Sequence, residues 1–311
     1  MKEVNIVAEK LVIGTRGSKL AIWQANYVAA KIKEQYPGFA VIINNIKTTG
    51  DKVLDMPLAQ IGGKGLFTAE LEKAILTGDI DIAVHSMKDV PTELPAGLVL
   101  GAVTERLDAG DALISPCYHT LDRLPSGGKV GTSSLRRKAQ LLNYRPDLTM
   151  VDLRGNVDTR LLKLETEGLD AIVLAVAGLK RLGLEERITQ VLPQDICLPA
   201  MGQGTLAIEI RRDDVAVREM IAFLNDCQTL QAVRAERAFL KVIEGGCQVP
   251  VGVYGRVQGE GLVLDAVILS VDGKRRARDR ITGRAEAAES LGLELAARML
   301  DNGGRDILSR T

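Results

Sequence analysis

The sequence predicts an α/β fold with mostly parallel sheets, followed by a small α+β region at the C-terminal end. Up to about residue 225, apolar segments typical of buried strands alternate with segments of helical periodicity, which indicates βαβ units and parallel strands. From residue 251 onward, strand-like segments follow one another directly, as in antiparallel hairpins. A chain of 311 residues, 46% of them hydrophobic, is long enough for two or three domains with their own cores.

Composition excludes several classes of protein. The 40 lysine and arginine residues balance the 40 aspartate and glutamate residues, so no overall charge favours binding to nucleic acid or to an anionic membrane. No apolar segment has the length of a signal peptide or a membrane span, and we therefore expect a cytosolic protein. The four cysteines are widely spaced without a CxxC motif and the chain has two histidines, so we expect neither a zinc site nor a disulfide framework.

The first predicted βα unit ends in a candidate anion site. A short strand at residues 11–13 leads through a glycine-containing turn to Ser18, which is a good N-cap for the next helix. A helix N-terminus presents backbone N–H groups and the positive end of the helix dipole, which suits an anion. Arg16 lies in this turn. From these residues alone, it is equally well an ordinary surface arginine.

A glycine-rich loop follows the second predicted strand, residues 41–46. Three glycines surround Lys64 and precede Phe67, but the Walker spacing GxxxxGK[ST] is absent. We therefore predict a mobile lid here and no nucleotide site.

The segment after the third predicted strand, residues 81–84, holds the best candidates for chemistry. Ligand sites in open α/β sheets lie beyond the carboxyl ends of strands, so Lys88 and Asp89 are well placed to meet a substrate. A Ser-His-Asp triad is not expected. His85 and Ser86 are neighbours whose side chains diverge from an extended backbone, and no GxSxG elbow surrounds the serine.

Arginines recur at the strand-to-helix junctions of the following units. The predicted strands at residues 129–131, 148–153 and 171–176 are each followed closely by arginines. Guanidinium groups bind carboxylates through paired hydrogen bonds, so the predicted ligand is a small molecule with several carboxylates or phosphates. The arginines expected on one face are Arg16, Arg136, Arg137, Arg154, Arg160 and Arg181.

A lone thiol occupies the turn at residues 244–250. Two consecutive glycines and Pro250 place Cys247 at the end of the helix predicted for residues 232–243. An accessible thiolate is a strong nucleophile that can carry a covalent group. A free cysteine is usually a small buried hydrophobe, however, and the residues alone leave both interpretations open.

The remaining segments complete the domain plan. Residues 199–204 are predicted to cross between lobes, and the strand and helix after them to return to the first lobe. Hairpins and a final helix at residues 287–300 form the C-terminal region, in which the arginines between residues 275 and 280 are predicted to be a solvated rim. We predict three domains: residues 1–104 with 205–225, residues 105–204, and residues 226–311.

Seven motifs in this order resemble the porphobilinogen deaminase family, and the resemblance runs nearly end to end. They are GTRGS at residues 14–18, GGKGLF at 62–67, VHSMKDVP at 84–91, GTSSLRR at 131–137, LRGNV at 153–157, AVAGLKRLG at 175–183 and EGGCQVP at 244–250. Each motif alone is weak, and together they are specific to the family.

The resemblance implies two lobes similar to those of periplasmic binding proteins, with the active site between them, and a third domain that carries a dipyrromethane cofactor on a cysteine. It implies a transferase of tetrapyrrole and haem biosynthesis. This enzyme joins four porphobilinogen molecules head to tail on the covalent primer, releases ammonia each time, and releases hydroxymethylbilane by hydrolysis. Its partners would be porphobilinogen and the polypyrrole intermediates, without metal or nucleotide, in a cytoplasmic monomer.

The resemblance also gives roles to residues of this sequence. Asp89 matches the family's catalytic aspartate, and Cys247 matches the cysteine that holds dipyrromethane through a thioether. The cofactor would be bound by Lys88, Ser133, Ser134, Arg136 and Arg137. The substrate would be bound by Arg16, Ser18, Lys64, Phe67, Thr132, Arg154, Gly155, Arg160, Arg181 and Gln203. One departure is Gln60, where many family members have a lysine, and we expect altered substrate affinity from it.

A non-catalytic two-lobe protein that binds carboxylates is the alternative. Two lobes with a basic cleft would suit it equally well. A pure binder needs neither the Asp89 carboxylate nor an accessible Cys247 thiol, so these two residues favour the enzyme.

Overall fold

The computed structural model describes residues 10–52, 65–243 and 249–309. The chain divides into two compact units, the first formed by residues 1–55, 63–106 and 205–230, and the second by residues 56–62, 107–204 and 231–311. The three predicted domain boundaries stay a prediction. Cys247, Lys64 and Gln60 lie outside the described residues.

The elements alternate between strand and helix until the C-terminal region. The strands are β1 (Lys10–Thr15), β2 (Ala40–Asn45), β3 (Ile82–Ser86), β4 (Leu98–Val103), β5 (Asp111–Ile114), β6 (Lys129–Gly131), β7 (Thr149–Val151), β8 (Ala171–Ala175), β9 (Gln190–Val191), β10 (Leu206–Arg211), β11 (Val251–Gln258), β12 (Gly261–Leu269) and β13 (Arg276–Arg284). The helices are α1 (Lys19–Gln35), α2 (Thr49–Lys52), α3 (Ala69–Thr77), α4 (Leu135–Tyr144), α5 (Val157–Thr166), α6 (Val176–Arg181), α7 (Val215–Ile221), α8 (Cys227–Val242), α9 (Ala288–Met299) and α10 (Arg305–Leu308).

The first unit is built on a sheet whose described strands follow the order β2–β1–β3–β10–β4. β1 runs parallel to β2 and β3, and β10 runs antiparallel to β3 and β4, so all these strands except β10 point the same way. One face packs on α1 and α7 and buries Ile13, Val28 and Ile208. The opposite face packs on α3, where Leu71 is buried near Ala83. Cover on both faces explains why the central strands are mostly apolar.

The second unit repeats this plan. Its described strands within residues 107–204 follow the order β7–β6–β8–β5–β9, and β5 is the strand that runs against the others. Apolar side chains on its two faces form separate cores, one including Leu161 and Ile172 and the other Leu141 and Val173. The predicted α/β class with mostly parallel strands is therefore confirmed.

Serine side chains cap the helices that follow β1 and β6, the second strand in each sheet order. Ser18 Oγ accepts a hydrogen bond from the Ala21 N–H (3.2 Å) at the start of α1. Ser134 Oγ accepts one from the Arg137 N–H (3.4 Å) at the start of α4. Such caps satisfy a backbone donor that has no partner within the helix, and each contributes about 1 kcal/mol.

The C-terminal region is an antiparallel sheet in the order β11–β12–β13, packed with α8 and α9. The two helices approach closely at Gly292, where a Cβ would lie 2.2 Å from the Ala235 carbonyl oxygen. Buried Glu236 on α8 accepts hydrogen bonds from the N–H groups of Gly202 (2.6 Å) and Gly255 (2.7 Å). This side chain joins α8 to β11 and to the segment before β10.

The structure corrects one expectation and adds three strands. The arginines near residue 278 are not simply a solvated rim, because Arg278 is half-buried and donates to the carbonyl oxygens of Asp195 (2.8 Å) and Gln194 (3.2 Å). Strands β4, β5 and β9 were not among the predicted elements. No helix in the described part of the chain is both long and apolar enough to cross a membrane.

Candidate active site

A pocket lies at the carboxyl ends of β1 and β3 in the first unit. These strands are parallel neighbours, so the turns that follow them meet at one edge of the sheet. Side chains from these turns, from α1 and from the start of α3 line the pocket. They are Arg16, Ser18, Leu20, Ala21, Gln24, Phe67, Thr68, Val84, His85, Ser86 and Asp89. The pocket therefore combines a guanidinium group, a carboxylate and an aromatic ring.

The chain beyond β3 positions Asp89. It forms a single 3-10 turn, Met87–Asp89, in which Met87 is fully buried. The Met87 N–H donates to the Thr205 carbonyl (3.1 Å), and the Val90 N–H donates to the Met87 carbonyl (3.1 Å). Val90 is also buried. Half-buried Asp89 is thus fixed between two apolar side chains that belong to the interior.

Arg16 is oriented by an acidic and an aromatic side chain. Its Nε donates to both carboxylate oxygens of Asp51 (3.2 and 3.3 Å), and its Nη2 forms an ion pair with the same group. Its guanidinium carbon lies 4.2 Å from the centre of the Phe67 ring. Burial alone would raise the pKa of Asp51, but hydrogen bonds from Arg16 and Thr48 outweigh burial and lower it. Asp51 therefore stays charged and keeps the Arg16 side chain in place.

His85 and Ser86 use different partners. His85 Nε2 lies 3.1 Å from Glu209 Oε2, and Ser86 Oγ accepts a hydrogen bond from Gln24 Nε2 (2.8 Å). Adjacent strand residues point to opposite faces of the sheet, which accounts for this divergence. The structure gives no Ser-His contact between them, in agreement with the rejection of a triad from the sequence.

In the second unit, two of the predicted arginines converge on one buried carboxylate, Asp111. Arg136 Nη1 donates to its Oδ2 (2.7 Å), Arg137 Nε to its Oδ1 (2.9 Å), and Gln203 Nε2 also to Oδ1 (3.0 Å). Burial alone would raise the pKa of Asp111, but Arg136 and Arg137 hold it well below its usual range. The strand β5 thus supplies the counterion that keeps both arginines in the interior.

Cys197 contacts the same carboxylate and is a poor nucleophile. Its Sγ lies 3.3 Å from Asp111 Oδ2. Burial, with the nearby Asp111 charge, raises the pKa of the Cys197 thiol to about 12. Cys117 and Cys227 are exposed free thiols.

The loops after β6 and β7 leave two polar atoms without partners. Ser133 Oγ and Arg154 Nη1 are buried, and neither has a hydrogen-bond partner within the described ranges. Thr132 Oγ1 accepts a hydrogen bond from the Ser134 N–H (3.2 Å). Buried polar atoms are normally paired, so these two atoms are candidates to bind a ligand.

Three further predicted residues bind backbone carbonyls of the second unit. Arg160 Nε donates to Gly155 O (2.7 Å), and Arg181 Nη2 donates to Gly204 O (2.8 Å). Gly155 has a φ of +119°, which favours glycine, and a Cβ there would lie 2.7 Å from the Thr159 side chain. Gln203 Nε2 donates to Ala109 O (2.6 Å) in addition to Asp111.

Family models match both parts of the chain. The model described as porphobilinogen deaminase, dipyromethane cofactor binding domain, matches residues 11–219. The model of the porphobilinogen deaminase C-terminal domain matches residues 230–301. The chain belongs to the porphobilinogen deaminase family. The resemblance seen in the sequence motifs is confirmed, and dipyrromethane is the cofactor of this family.

Curated relatives support the assignment along the whole chain. The porphobilinogen deaminase of Geotalea daltonii is 56% identical over 97% of this chain and 94% of its own length. That of Geobacter sulfurreducens is 56% identical over 96% of this chain and 94% of its own length. Among solved structures, the periplasmic aliphatic sulphonate binding protein SsuA of Escherichia coli is similar with a TM-score of 0.41 and 16% identity, over 76% of this chain and 71% of that one.

In the structure of this porphobilinogen deaminase family member, the predicted site residues lie in separate groups. Arg16, Ser18, Phe67 and Asp89 line one pocket, whereas half-buried Lys88 is not among its lining residues. The residues of the second unit form the Asp111 cluster and the loops after β6 and β7. Convergence of all six arginines on one face stays a prediction, as do the roles of Cys247 and Lys64, which lie outside the described residues.

Sequence reasoning missed three residues that organise these groups: Asp51, Asp111 and Glu209. The available signal was an acidic residue inside an apolar strand, since β5 begins with Asp111 and β10 holds Glu209 among buried aliphatic residues. A charged group in such a position requires a partner, and each of these two has one.

Proposed function

We propose that the chain carries out the reaction of its family with Asp89 as the catalytic carboxylate and the pocket of the first unit as the place where porphobilinogen reacts. By its family, the protein is a transferase that acts on porphobilinogen in tetrapyrrole biosynthesis. One observation carries the proposal for the site. Arg16, Ser18, Phe67 and Asp89, chosen from different parts of the sequence, line the same pocket.

The second unit has donors that fit the dipyrromethane cofactor. Each pyrrole ring of the cofactor carries an acetate and a propionate, which accept hydrogen bonds. Ser133 Oγ is a buried donor without a partner among the residues the structure describes, so it suits such a carboxylate, and Arg154 Nη1, a second such donor, suits a carboxylate of the substrate. When bound, the cofactor supplies the pyrrole carbon to which the first porphobilinogen is joined. We propose Cys247 as its point of attachment.

Asp89 would stabilise the positive charge that develops on the pyrroles during the reaction. In each condensation, the bond between the aminomethyl carbon and nitrogen of porphobilinogen breaks, ammonia leaves, a carbon–carbon bond forms and a pyrrole carbon loses its proton. Positive charge builds on pyrrole nitrogens during these events. The Asp89 carboxylate accepts hydrogen bonds from the pyrrole N–H groups and stabilises this charge, because it is held in a half-buried position where water screens it less.

The other pocket residues would bind the substrate. Arg16 pairs with a substrate carboxylate while Asp51 keeps its guanidinium oriented. Ser18 lies at the N-terminus of α1, whose backbone N–H groups and dipole also favour an anion. Phe67 offers a flat apolar surface to the pyrrole ring. The arginines at residues 136 and 137 remain proposed cofactor ligands, with Asp111 fixing one side of each guanidinium group.

We also propose that the protein works as a cytoplasmic monomer, as its family resemblance implies. Sedimentation equilibrium is the direct measurement, and a single species of about the chain mass of 33.5 kDa is expected. A stable dimer would contradict this part of the proposal.

The test of the proposed site is Asp89→Asn in protein that has its cofactor attached. The amide cannot stabilise positive charge as a carboxylate does, so kcat should fall by about 100-fold or more while porphobilinogen still binds. Release of ammonia and formation of hydroxymethylbilane are measured together. Asp79→Asn is the matched control, because Asp79 is an exposed carboxylate of the same unit and should retain the original kcat.

Retention of kcat in Asp89→Asn would contradict the catalytic role. The alternative of a non-catalytic carboxylate-binding protein predicts a different result. In that case the unmodified protein binds porphobilinogen in a saturable way without releasing ammonia, and Asp89→Asn leaves that affinity unchanged or improves it.

A further inference from the structure

A buried acid–imidazole pair lies behind the pocket. His85 on β3 stands opposite Ala207 on β10, and Glu209 stands opposite Ala83, so His85 and Glu209 are diagonal neighbours on the same face of the sheet. His85 Nε2 and Glu209 Oε2 are 3.1 Å apart. His85 is 5% exposed and Glu209 is fully buried at 0%. The contact therefore lies in the interior.

A second carboxyl group lies close to this pair. Helix α3 packs on the face that holds Ala83, and Glu72 of α3 is buried there. Burial raises the pKa of Glu72, and the negative charge of nearby Glu209 raises it further. The Oε1 atoms of Glu72 and Glu209 are both buried without a hydrogen-bond partner in the described part of the chain. Two incompletely paired carboxyl groups in an interior are costly, so packing alone does not account for them.

His85 is also one of the residues that line the pocket that contains Asp89. Because Nε2 faces Glu209, Nδ1 is the ring nitrogen left for a ligand in the pocket. A carboxylate only accepts hydrogen bonds, so Nε2 carries the hydrogen in this contact, and of the two neutral tautomers Glu209 favours the one with hydrogen on Nε2. Nδ1 then presents a lone pair, which is an acceptor for an N–H group.

We propose that Glu209 is a positioning residue for the reaction, and that it fixes His85 so that Nδ1 accepts a hydrogen bond from an N–H group of the substrate beside Asp89. This inference rests on the proposed function, since it requires porphobilinogen in the same pocket. Among the residues that the structure describes, the charged or titratable groups near His85 or in the same pocket are Glu209 on β10, Glu72 on α3, Arg16 and Asp89.

Histidine nuclear magnetic resonance tests the inference directly, because the chain has two histidines and exposed His119 serves as an internal reference. In cofactor-bearing protein labelled with ¹⁵N-histidine, His85 should show the tautomer with hydrogen on Nε2. Stoichiometric porphobilinogen should shift the His85 Nδ1 resonance and leave that of His119 unchanged. A His85 that carries hydrogen on Nδ1, or an Nδ1 resonance unmoved by porphobilinogen, would overturn the proposal.

Substitution of Glu209 separates positioning from packing. Glu209→Leu keeps a similar volume but removes one partner of a buried pair, so a loss of stability is expected from either role and kcat is compared on the folded protein. A merely structural role therefore predicts unchanged kcat. The positioning role predicts a kcat lower by about 10- to 100-fold and a mixture of His85 tautomers. Glu209→Gln keeps an acceptor oxygen and should retain the tautomer and most of the turnover, and His119→Gln should change neither.

The outcomes distinguish this inference from the proposed function. If the unsubstituted protein does not convert porphobilinogen, the proposed function fails. If it does so and Glu209→Leu has the same kcat, the positioning role alone fails. Should Glu209→Leu not fold, the tautomer and the porphobilinogen-dependent shift of His85 in the unsubstituted protein still decide the question.

Discussion

Asp111 and Asp265 show how burial of the partners decides what a carboxylate contributes. Both are buried, and each binds two arginines. The partners of Asp111 are themselves buried, whereas the side chains of Arg256 and Arg280 beside Asp265 are 33% and 61% exposed. Water can therefore solvate the arginines next to Asp265 if the carboxylate is removed, but not those next to Asp111.

Asp111→Asn should therefore lower the free energy of unfolding by about 3–5 kcal/mol, since it leaves two buried cations without a counterion. Asp265→Asn, the matched control, should lower it by less, closer to the value of about 1 kcal/mol found for exposed pairs. Denaturant unfolding followed by circular dichroism measures both. Equal losses in the two variants would show that burial of the arginines is not the cause.

The same carboxylate predicts a pH dependence. The pKa of Asp111 is lower in the folded chain than in the unfolded chain. Its contribution to the free energy of unfolding is then present above its unfolded pKa of about 3.9 and is lost as the pH falls toward the folded value. The difference in stability between the original protein and Asp111→Asn should thus be constant near neutral pH and shrink below about pH 4. A difference that grows with acidity would contradict this sign.

At the residue scale, the sequence predicted the polar side chains that follow strands. It missed the acidic residues that bind other polar side chains in the interior. Asp89 and Arg16 were identified from their position after a strand, and they line one pocket. Asp111 and Glu209 were not identified, because an acidic residue in an apolar strand indicates only that a partner exists, and their partners lie 25 and 124 positions away in the chain.

At the element scale, Ser18 has two roles that can be separated. It caps α1 through the Ala21 N–H, and it lines the pocket. The sequence predicted the cap because the residue type and the strand–turn–helix pattern are both local. Strand β5 was missed, since it has only four residues and begins with a charge, so periodicity has little to act on.

Ser18→Ala should lower the free energy of unfolding by about 1 kcal/mol, because the Ala21 N–H loses its acceptor. Ser18→Asp keeps an acceptor at the helix N-terminus and should retain stability. The added negative charge should, however, raise the KM for porphobilinogen, whose carboxylates are repelled. Thermal unfolding and steady-state kinetics measure the two effects.

The control for Ser18 is Asp214→Ala at the start of α7, where Asp214 Oδ1 accepts a hydrogen bond from the Val217 N–H (3.0 Å). This variant should lose stability and keep the original KM. An unchanged KM in Ser18→Asp would show that Ser18 does not meet the substrate.

At the scale of the whole molecule, two sheets of the same strand plan provide two sets of loops at strand ends. In the order of strands across each sheet, the first three strands are parallel to one another. The fourth, β10 in one sheet and β5 in the other, is antiparallel to them. The alternation of strands and helices predicted this class. It could not predict which strands are neighbours, because β10 comes from a segment more than 100 residues after the strands beside it.

The family to which the chain belongs carries out one reaction. The covalently bound cofactor is the most direct evidence that this chain carries it out. The measurement is the intact mass of the purified protein beside that of Cys247→Ser. An added mass equal to two linked pyrroles on the original chain, absent from the variant, is the predicted result. A bare polypeptide mass that persists after incubation with porphobilinogen would contradict the account, and the pocket of Arg16 and Asp89 would then have to be explained as a binding site without this chemistry.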